Sequence, residues 1–160
     1  MNVLYLHGLE SKPGGSKVKY LKDRFDMVYA PAMDYNNPEL FSEMVDLCIA
    51  EYFDLIIGSS MGGYFAHQLA THIEDTKLML FNPAIHSRSF EPEGVTDGAF
   101  SVQGHVVLGL EDDVINPTET YNMVGSRSFY DGLSVVPIER MGHRVPLDTF
   151  IDVVERFVEG

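Results

Sequence analysis

Gly58-Ser59-Ser60-Met61-Gly62 sets one serine between two glycines, each two residues away, directly after the apolar run Leu55-Ile56-Ile57. This spacing suits a nucleophile on a sharp strand-to-helix turn, where side chains two positions to either side would collide with neighbouring backbone. The register selects Ser60, because around Ser59 the equivalent positions are Ile57 and Met61. A serine hydroxyl is a poor nucleophile until a base takes its proton, and the base needs an acid to fix its tautomer. His143 stands in Gly142-His143-Arg144-Val145-Pro146, in a turn after the last apolar run and before the last helical stretch, and is the candidate base. Glu111-Asp112-Asp113 follows an earlier apolar run and offers three candidate acids. The chemistry such a set performs is nucleophilic acyl transfer. The plainer reading of the same turn is a serine capping a helix.

Elements of alternating type must carry these residues. Short apolar runs at Val3–Leu6, Met27–Ala30, Leu55–Ile57, Lys77–Phe81, Val106–Leu110 and Leu133–Val136 have the length and, mostly, the β-branched content of strands. Between Pro38 and Phe53, Leu40, Phe41, Met44, Val45, Cys48 and Ile49 recur at helical spacing, with Asn37 as the expected N-cap. Phe150, Val153, Val154, Phe157 and Val158 repeat the pattern between Pro146 and Val158, and Ser16–Phe25 and Met61–Ile73 supply two more helices. Strand and helix in alternation predict a mainly parallel sheet of about six strands with helices on both faces. The stretch 85–104 fits neither period and carries Pro92, Gly94, Gly98 and Gly104, so it reads as a short cap segment or an irregular surface helix.

At 160 residues the chain is expected to form one domain over 1–160. Its net charge of −13 repels nucleic-acid backbones, so no nucleic-acid partner is expected. With no uninterrupted apolar stretch of membrane-spanning length, no membrane insertion is expected. Met1-Asn2-Val3-Leu4-Tyr5-Leu6-His7-Gly8 lacks a basic leader and reads as a buried strand, so the expected compartment is the cytoplasm. The single cysteine, Cys48, cannot build a disulfide or a zinc site within one chain and reads as a buried helix residue. His67 and His72 lack the H-E-x-x-H spacing of a zinc site, and Gly8–Lys17 has the glycines and lysine of a phosphate loop in the wrong order. Neither a metal nor a cofactor is implied.

Leu4-Tyr5-Leu6-His7-Gly8 with Ser11-Lys12-Pro13, Gly58-Ser59-Ser60-Met61-Gly62-Gly63-Tyr64 and Phe81-Asn82-Pro83-Ala84-Ile85 resemble the first loop, elbow and post-elbow strand of the α/β-hydrolases, and more narrowly of the small bacterial YqiA-type (UPF0227) esterases. The likeness runs from residue 3 to the final helix and implies a three-layer α/β-hydrolase sandwich with a minimal cap. It departs from the pattern before His143, where only Gly142 stands in place of paired glycines. The resemblance implies Ser60 as nucleophile, His143 as base and then acid, and Asp112, three residues after Gly109, as the orienting acid, with Asp113 and Glu111 as alternatives. It implies backbone N–H groups of Leu9 and Met61 as oxyanion donors. His7, Tyr64, Asn82, His86 and Arg88 are the tentative substrate contacts, His7 reading chiefly as an organiser of its loop. The expected partner is a small-molecule ester or thioester, and the competing reading is a non-catalytic acyl-ligand binding protein on the same scaffold.

Overall fold

The computed structural model describes residues 1–9 and 13–160. Ser11 and Lys12 of the first-loop resemblance lie outside the described residues. Among the described residues the strands are β1 (Asn2–Leu6), β2 (Met27–Tyr29), β3 (Leu55–Ser59), β4 (Lys77–Phe81), β5 (Gln103–Gly109) and β6 (Leu133–Ile138). The helices are α1 (Ser16–Arg24), α2 (Leu40–Ala50), α3 (Met61–Ala70), α4 (Pro117–Ser126) and α5 (Leu147–Glu159), with a 3₁₀ turn at Ser128–Tyr130. The strands form one sheet in the order β2-β1-β3-β4-β5-β6, and every pairing is parallel.

The period of two along each strand sorts side chains between two cores. Leu4, Leu6, Ile56, Leu78, Leu80, Val106 and Leu108 point to one face, where they meet residues of α2, α3 and α4. Val3, Tyr5, Leu55, Ile57, Met79, Phe81 and Val107 point to the other, against α1 and α5. Burial on both sides explains why the strands are continuous apolar runs, each fully buried aliphatic side chain contributing roughly 1.5–3 kcal/mol. Cys48 is buried on α2, and desolvation pushes its thiol up to about 12, so it is an inert apolar group. No helix among the described residues is long and apolar enough to cross a membrane.

At three places the structure adds to or changes the local reading. Asn37 does not cap α2: its Oδ1 accepts from Glu39 N–H at 3.0 Å and its carbonyl from Leu40 N–H at 3.1 Å, making a turn one step before the helix, whose N-cap position is Glu39. The helix α4 was not expected, because its buried stripe is only Thr120 and Val124. Its start was nevertheless written in Asn116-Pro117, where the Asn116 side chain accepts from the N–H groups of Thr118 and Glu119 and proline takes the first turn. Of the two readings of 85–104, the surface helix is set aside, since the stretch holds no helix. The stretch between β4 and β5 is irregular and is strapped along α3 where a crossover helix would otherwise lie. Gly98 N–H donates to Thr71 Oγ1 at 2.8 Å, Phe100 N–H donates to Thr71 O at 2.9 Å, and the Gln68 amide donates to Asp97 Oδ1 at 2.5 Å.

His67 on α3 is 1% exposed, packs against the rings of Phe129 and Tyr130, and leaves Nε2 without a partner among the described residues. Burial pushes its pKa down to about 4. The unfolded chain therefore binds a proton that the folded one does not between pH 6.5 and 4. Stability from this group is complete above pH 6.5 and is lost as pH falls toward 4, a loss of roughly 3 kcal/mol. Thermal melts of His67→Phe across that range are expected to show a shallower acid limb than the native protein.

Candidate active site

Elbow geometry follows from the topology. From β1 the chain leaves by α1 over one face, and from β3 it leaves by α3 over the other, so a crevice opens at the carboxyl ends of these neighbouring strands. Ser60 sits there with φ 56° and ψ −118°, a sparsely populated conformation for a residue with a Cβ. Four backbone hydrogen bonds hold it: its N–H donates to Phe81 O at 3.0 Å, and its carbonyl accepts from Gly63, Tyr64 and Ala84 N–H at 3.0, 3.2 and 2.9 Å. The glycines leave the room this turn needs. A Cβ on Gly58 would lie 2.3 Å from Gly62 O, and one on Gly62 would lie 2.1 Å from Leu6 O. Gly63 faces the same constraint from Pro83, at 2.7 Å, although the motif does not specify it.

The Ser60 side chain makes no capping bond to α3, which sets aside the helix-cap reading. Its Oγ lies 3.0 Å from His143 Nε2, and His143 Nδ1 lies 2.9 Å from Asp112 Oδ2. An ionised carboxylate only accepts, so Nδ1 carries the imidazole proton and Nε2 is left to accept from the serine hydroxyl. Asp112 is fixed on its other oxygen, where Oδ1 accepts from Val114 and Ile115 N–H, both at 2.9 Å. Its side chain is 1% exposed, whereas Glu111 and Asp113 face solvent. Close approach at the strand end makes this possible: a Cβ on Gly109 would stand 2.5 Å from Met141 O, so glycine lets the His143 loop lie against the acid turn. Arg140 takes the left-handed backbone, φ 58°, two residues before Gly142 in the same loop.

The tentative contacts fall elsewhere. Asn82 is 1% exposed, and its amide is spent inside the protein: Nδ2 donates to Gly142 O and His143 O at 3.1 and 2.9 Å, and Oδ1 accepts from Gly109 N–H at 2.8 Å. It braces the strand carrying the acid against the loop carrying the histidine, and its φ of 43° suits an asparagine. Asn82→Ala leaves one buried and two part-buried main-chain groups without these partners and is expected to cost about 3 kcal/mol. Thermal denaturation should show a midpoint lower by roughly 6–12 °C.

His7 is buried and organises its loop, with Nε2 accepting from Met33 N–H at 3.1 Å and Nδ1 donating to Gly8 O at 2.7 Å. The Tyr35 hydroxyl donates to His7 O from the same side, a support no local pattern announces because Met33 and Tyr35 lie far along the chain. Arg88 is consumed by its own segment: it pairs with Glu91, donates to Ala84 O and Ile85 O, and lies over the Tyr64 ring at 3.9 Å. That stack half-buries Tyr64 against the core, and His86 turns to Glu119 on α4 at 3.5 Å. Leu9, at the edge of the described residues, is exposed, and Gly8 beside it packs so close that a Cβ there would lie 3.3 Å from Ser60 Cβ. Neither Leu9 N–H nor Met61 N–H donates a hydrogen bond among the described residues.

A parallel sheet with helices on both faces and a serine elbow at the end of a central strand defines the α/β-hydrolase fold. Solved structures share it: Est1E from Butyrivibrio proteoclasticus (TM-score 0.71, 14% identity, 98% of this chain and 86% of that one) and the Paleococcus ferrophilus monoacylglycerol lipase (0.72, 13%, 98% and 93%). XC6422 from Xanthomonas campestris, described as an a/b serine hydrolase without lid, aligns at TM-score 0.68 and 15% identity over 99% of this chain and 80% of that one. At such identities the likeness is one of fold. The chain belongs to the uncharacterised protein family UPF0227, whose model matches residues 2–100, a span that includes Ser60 and ends before Asp112 and His143. Comparison with curated protein sequences finds no match.

Proposed function

We propose that this protein is a serine hydrolase that cleaves small carboxylic esters through an acyl-enzyme on Ser60. The observation that carries the reading is the unbroken hydrogen-bonded line from Ser60 Oγ through His143 to Asp112 Oδ2. As Ser60 Oγ bonds to the ester carbonyl carbon, its proton passes to His143 Nε2, and Asp112 stabilises the imidazolium. Collapse of the tetrahedral intermediate breaks the bond to the alcohol oxygen, which takes the proton from His143. Water then attacks the acyl carbon, gives a proton to His143, and the acid leaves as Ser60 recovers its hydrogen.

Negative charge on the tetrahedral oxygen needs fixed donors, and the N–H groups of Met61, at the start of α3, and Leu9 are assigned that role. With the β4–β5 connection drawn along α3, the site has little cover, which suits short acyl groups. A fluorophosphonate tests the reading without a known substrate. Intact-mass analysis is expected to show a single adduct on the native protein and none on Ser60→Ala, followed by hydrolysis of 4-nitrophenyl acetate with the same dependence. A folded native protein that stays unlabelled overturns it and moves the acyl-binding reading to first place. Thioester chemistry uses the same groups, and relative rates on matched oxygen and sulfur esters separate the two.

A further inference from the structure

We propose that the cleft between the starts of α1 and α5 is an anion subsite, in which Lys17 and Arg144 hold a carboxylate or phosphate carried by the ester. The inference rests on the reading of Ser60 as an acyl-transfer nucleophile and names the class of substrate it would take. The cleft has a volume of about 600 Å³ and is lined by Tyr5, Lys17, Arg144 and Pro146 among others, with no acidic residue among its described walls. Such a place is unusual in a chain of net charge −13 with only 11 Lys and Arg. Arg24, Arg88 and Arg156 are paired with Glu155, Glu91 and Asp152; the other described Lys and Arg side chains meet no carboxylate, and of these Lys17 and Arg144 are the two that line this cleft.

The two cations line the same cleft. Burial first, and repulsion from Arg144 second, hold the Lys17 ammonium below its ordinary pKa, and its Nζ rests 5.7 Å above the Phe150 ring. Two like charges at one cleft, one of them half-buried, repel each other until an anion lies between them. The surroundings suit the same ligand. Neither Gly15 before α1 nor Pro146 before α5 caps its helix with a side chain; in the first turn of α5 Asp148 Oδ1 accepts from Thr149 N–H at 2.8 Å, and the start of α1 is the one with no acidic residue in its first turn. Tyr5, pushed up to about 12 by burial, stays a neutral phenol there.

The subsite adjoins the reacting groups on both sides. Arg144 follows His143, whose Nε2 is 3.0 Å from Ser60 Oγ, and His7 at the cleft precedes Gly8, which packs against Ser60 Cβ. A substrate with its ester carbonyl at Ser60 therefore places a nearby substituent at the cleft mouth. Arg88, named among the tentative substrate contacts, is taken up by Glu91 and Tyr64. The charge is supplied from the opposite face of the sheet.

Three acetyl esters of meta-substituted phenols test this: 3-acetoxybenzoate, 3-acetoxyphenyl phosphate and the neutral methyl 3-acetoxybenzoate. The native enzyme is expected to favour at least one anionic ester over the neutral one by roughly tenfold or more in kcat/KM, the preferred anion separating carboxylate from phosphate. Lys17→Gln and Arg144→Gln are each expected to cut that ratio by about tenfold, as is added salt. A ratio of one or below in the native enzyme, or one unchanged in both variants, overturns the proposal. Titration calorimetry of 3-hydroxybenzoate and inorganic phosphate into Ser60→Ala keeps the two readings distinct. Binding that both charge variants weaken supports the subsite even if no ester turns over, and absence of binding by either probe at millimolar concentration overturns it even if esters are cleaved.

Discussion

Ser60→Ala is expected to lower kcat for ester hydrolysis by roughly 10⁴ to 10⁶ fold, because nucleophile, base and acid act as one unit and removing the attacking atom leaves only binding and oxyanion stabilisation. Its thermal midpoint should hardly move, since alanine keeps the Cβ and with it the strain of φ 56°. Ser60→Gly should be equally inactive and yet unfold at a higher temperature. Glycine relieves strain worth on the order of 1–3 kcal/mol and gives part of it back as unfolded-state entropy. A net gain near 1 kcal/mol corresponds to about 2–4 °C in a domain of this size. If Ser60→Gly melts no later than Ser60→Ala, the elbow is not the strained element its backbone angles describe.

Gly62→Ala is expected to produce the largest loss of stability of any single methyl addition in the elbow. Helix propensity alone predicts the reverse, since alanine is better than glycine inside a helix by about 1 kcal/mol. Space decides the sign: the new Cβ would sit 2.1 Å from Leu6 O and 2.7 Å from His7 O, both backbone atoms at the end of β1. Neither can move without breaking the β1–β3 register that sets Leu6 opposite Gly58. A cost above about 4 kcal/mol follows, in the range reserved for overpacking against rigid structure. Gly125→Ala in α4 is the control, because nothing lies within 4 Å of its Cβ, and it should gain up to about 1 kcal/mol. Chemical denaturation of both variants beside the native protein checks the opposite signs.

The same physics separates what local sequence carries from what it does not. Strand and helix alternation, the two-sided burial of runs such as Leu55-Ile56-Ile57, and the Gly58-x-Ser60-x-Gly62 turn are readable because each depends on residues within a few positions of one another. The helix α4 was missed because its packing is too slight to leave a period, although Asn116-Pro117 marked its start. Asn82, a tentative substrate contact in the sequence, is turned inward in the structure. Its burial comes from Gly109 and the Gly142–His143 carbonyls, which arrive from distant segments.

By itself the sequence determined a parallel α/β sandwich, a serine on its central elbow, and a histidine and an acidic cluster on later loops of the same edge. Only the tertiary structure decided which acid of Glu111, Asp112 and Asp113 turns inward, since that depends on two backbone N–H groups and on the room Gly109 leaves beside Met141. Only the tertiary structure spent Arg88 on Glu91 and put Lys17 and Arg144 on the walls of one cleft. Residues 17 and 144 have no local relation to one another. They line one cleft because α1 and α5 lie side by side on one face of the sheet, packed there by Tyr20, Phe150 and their neighbours in the core.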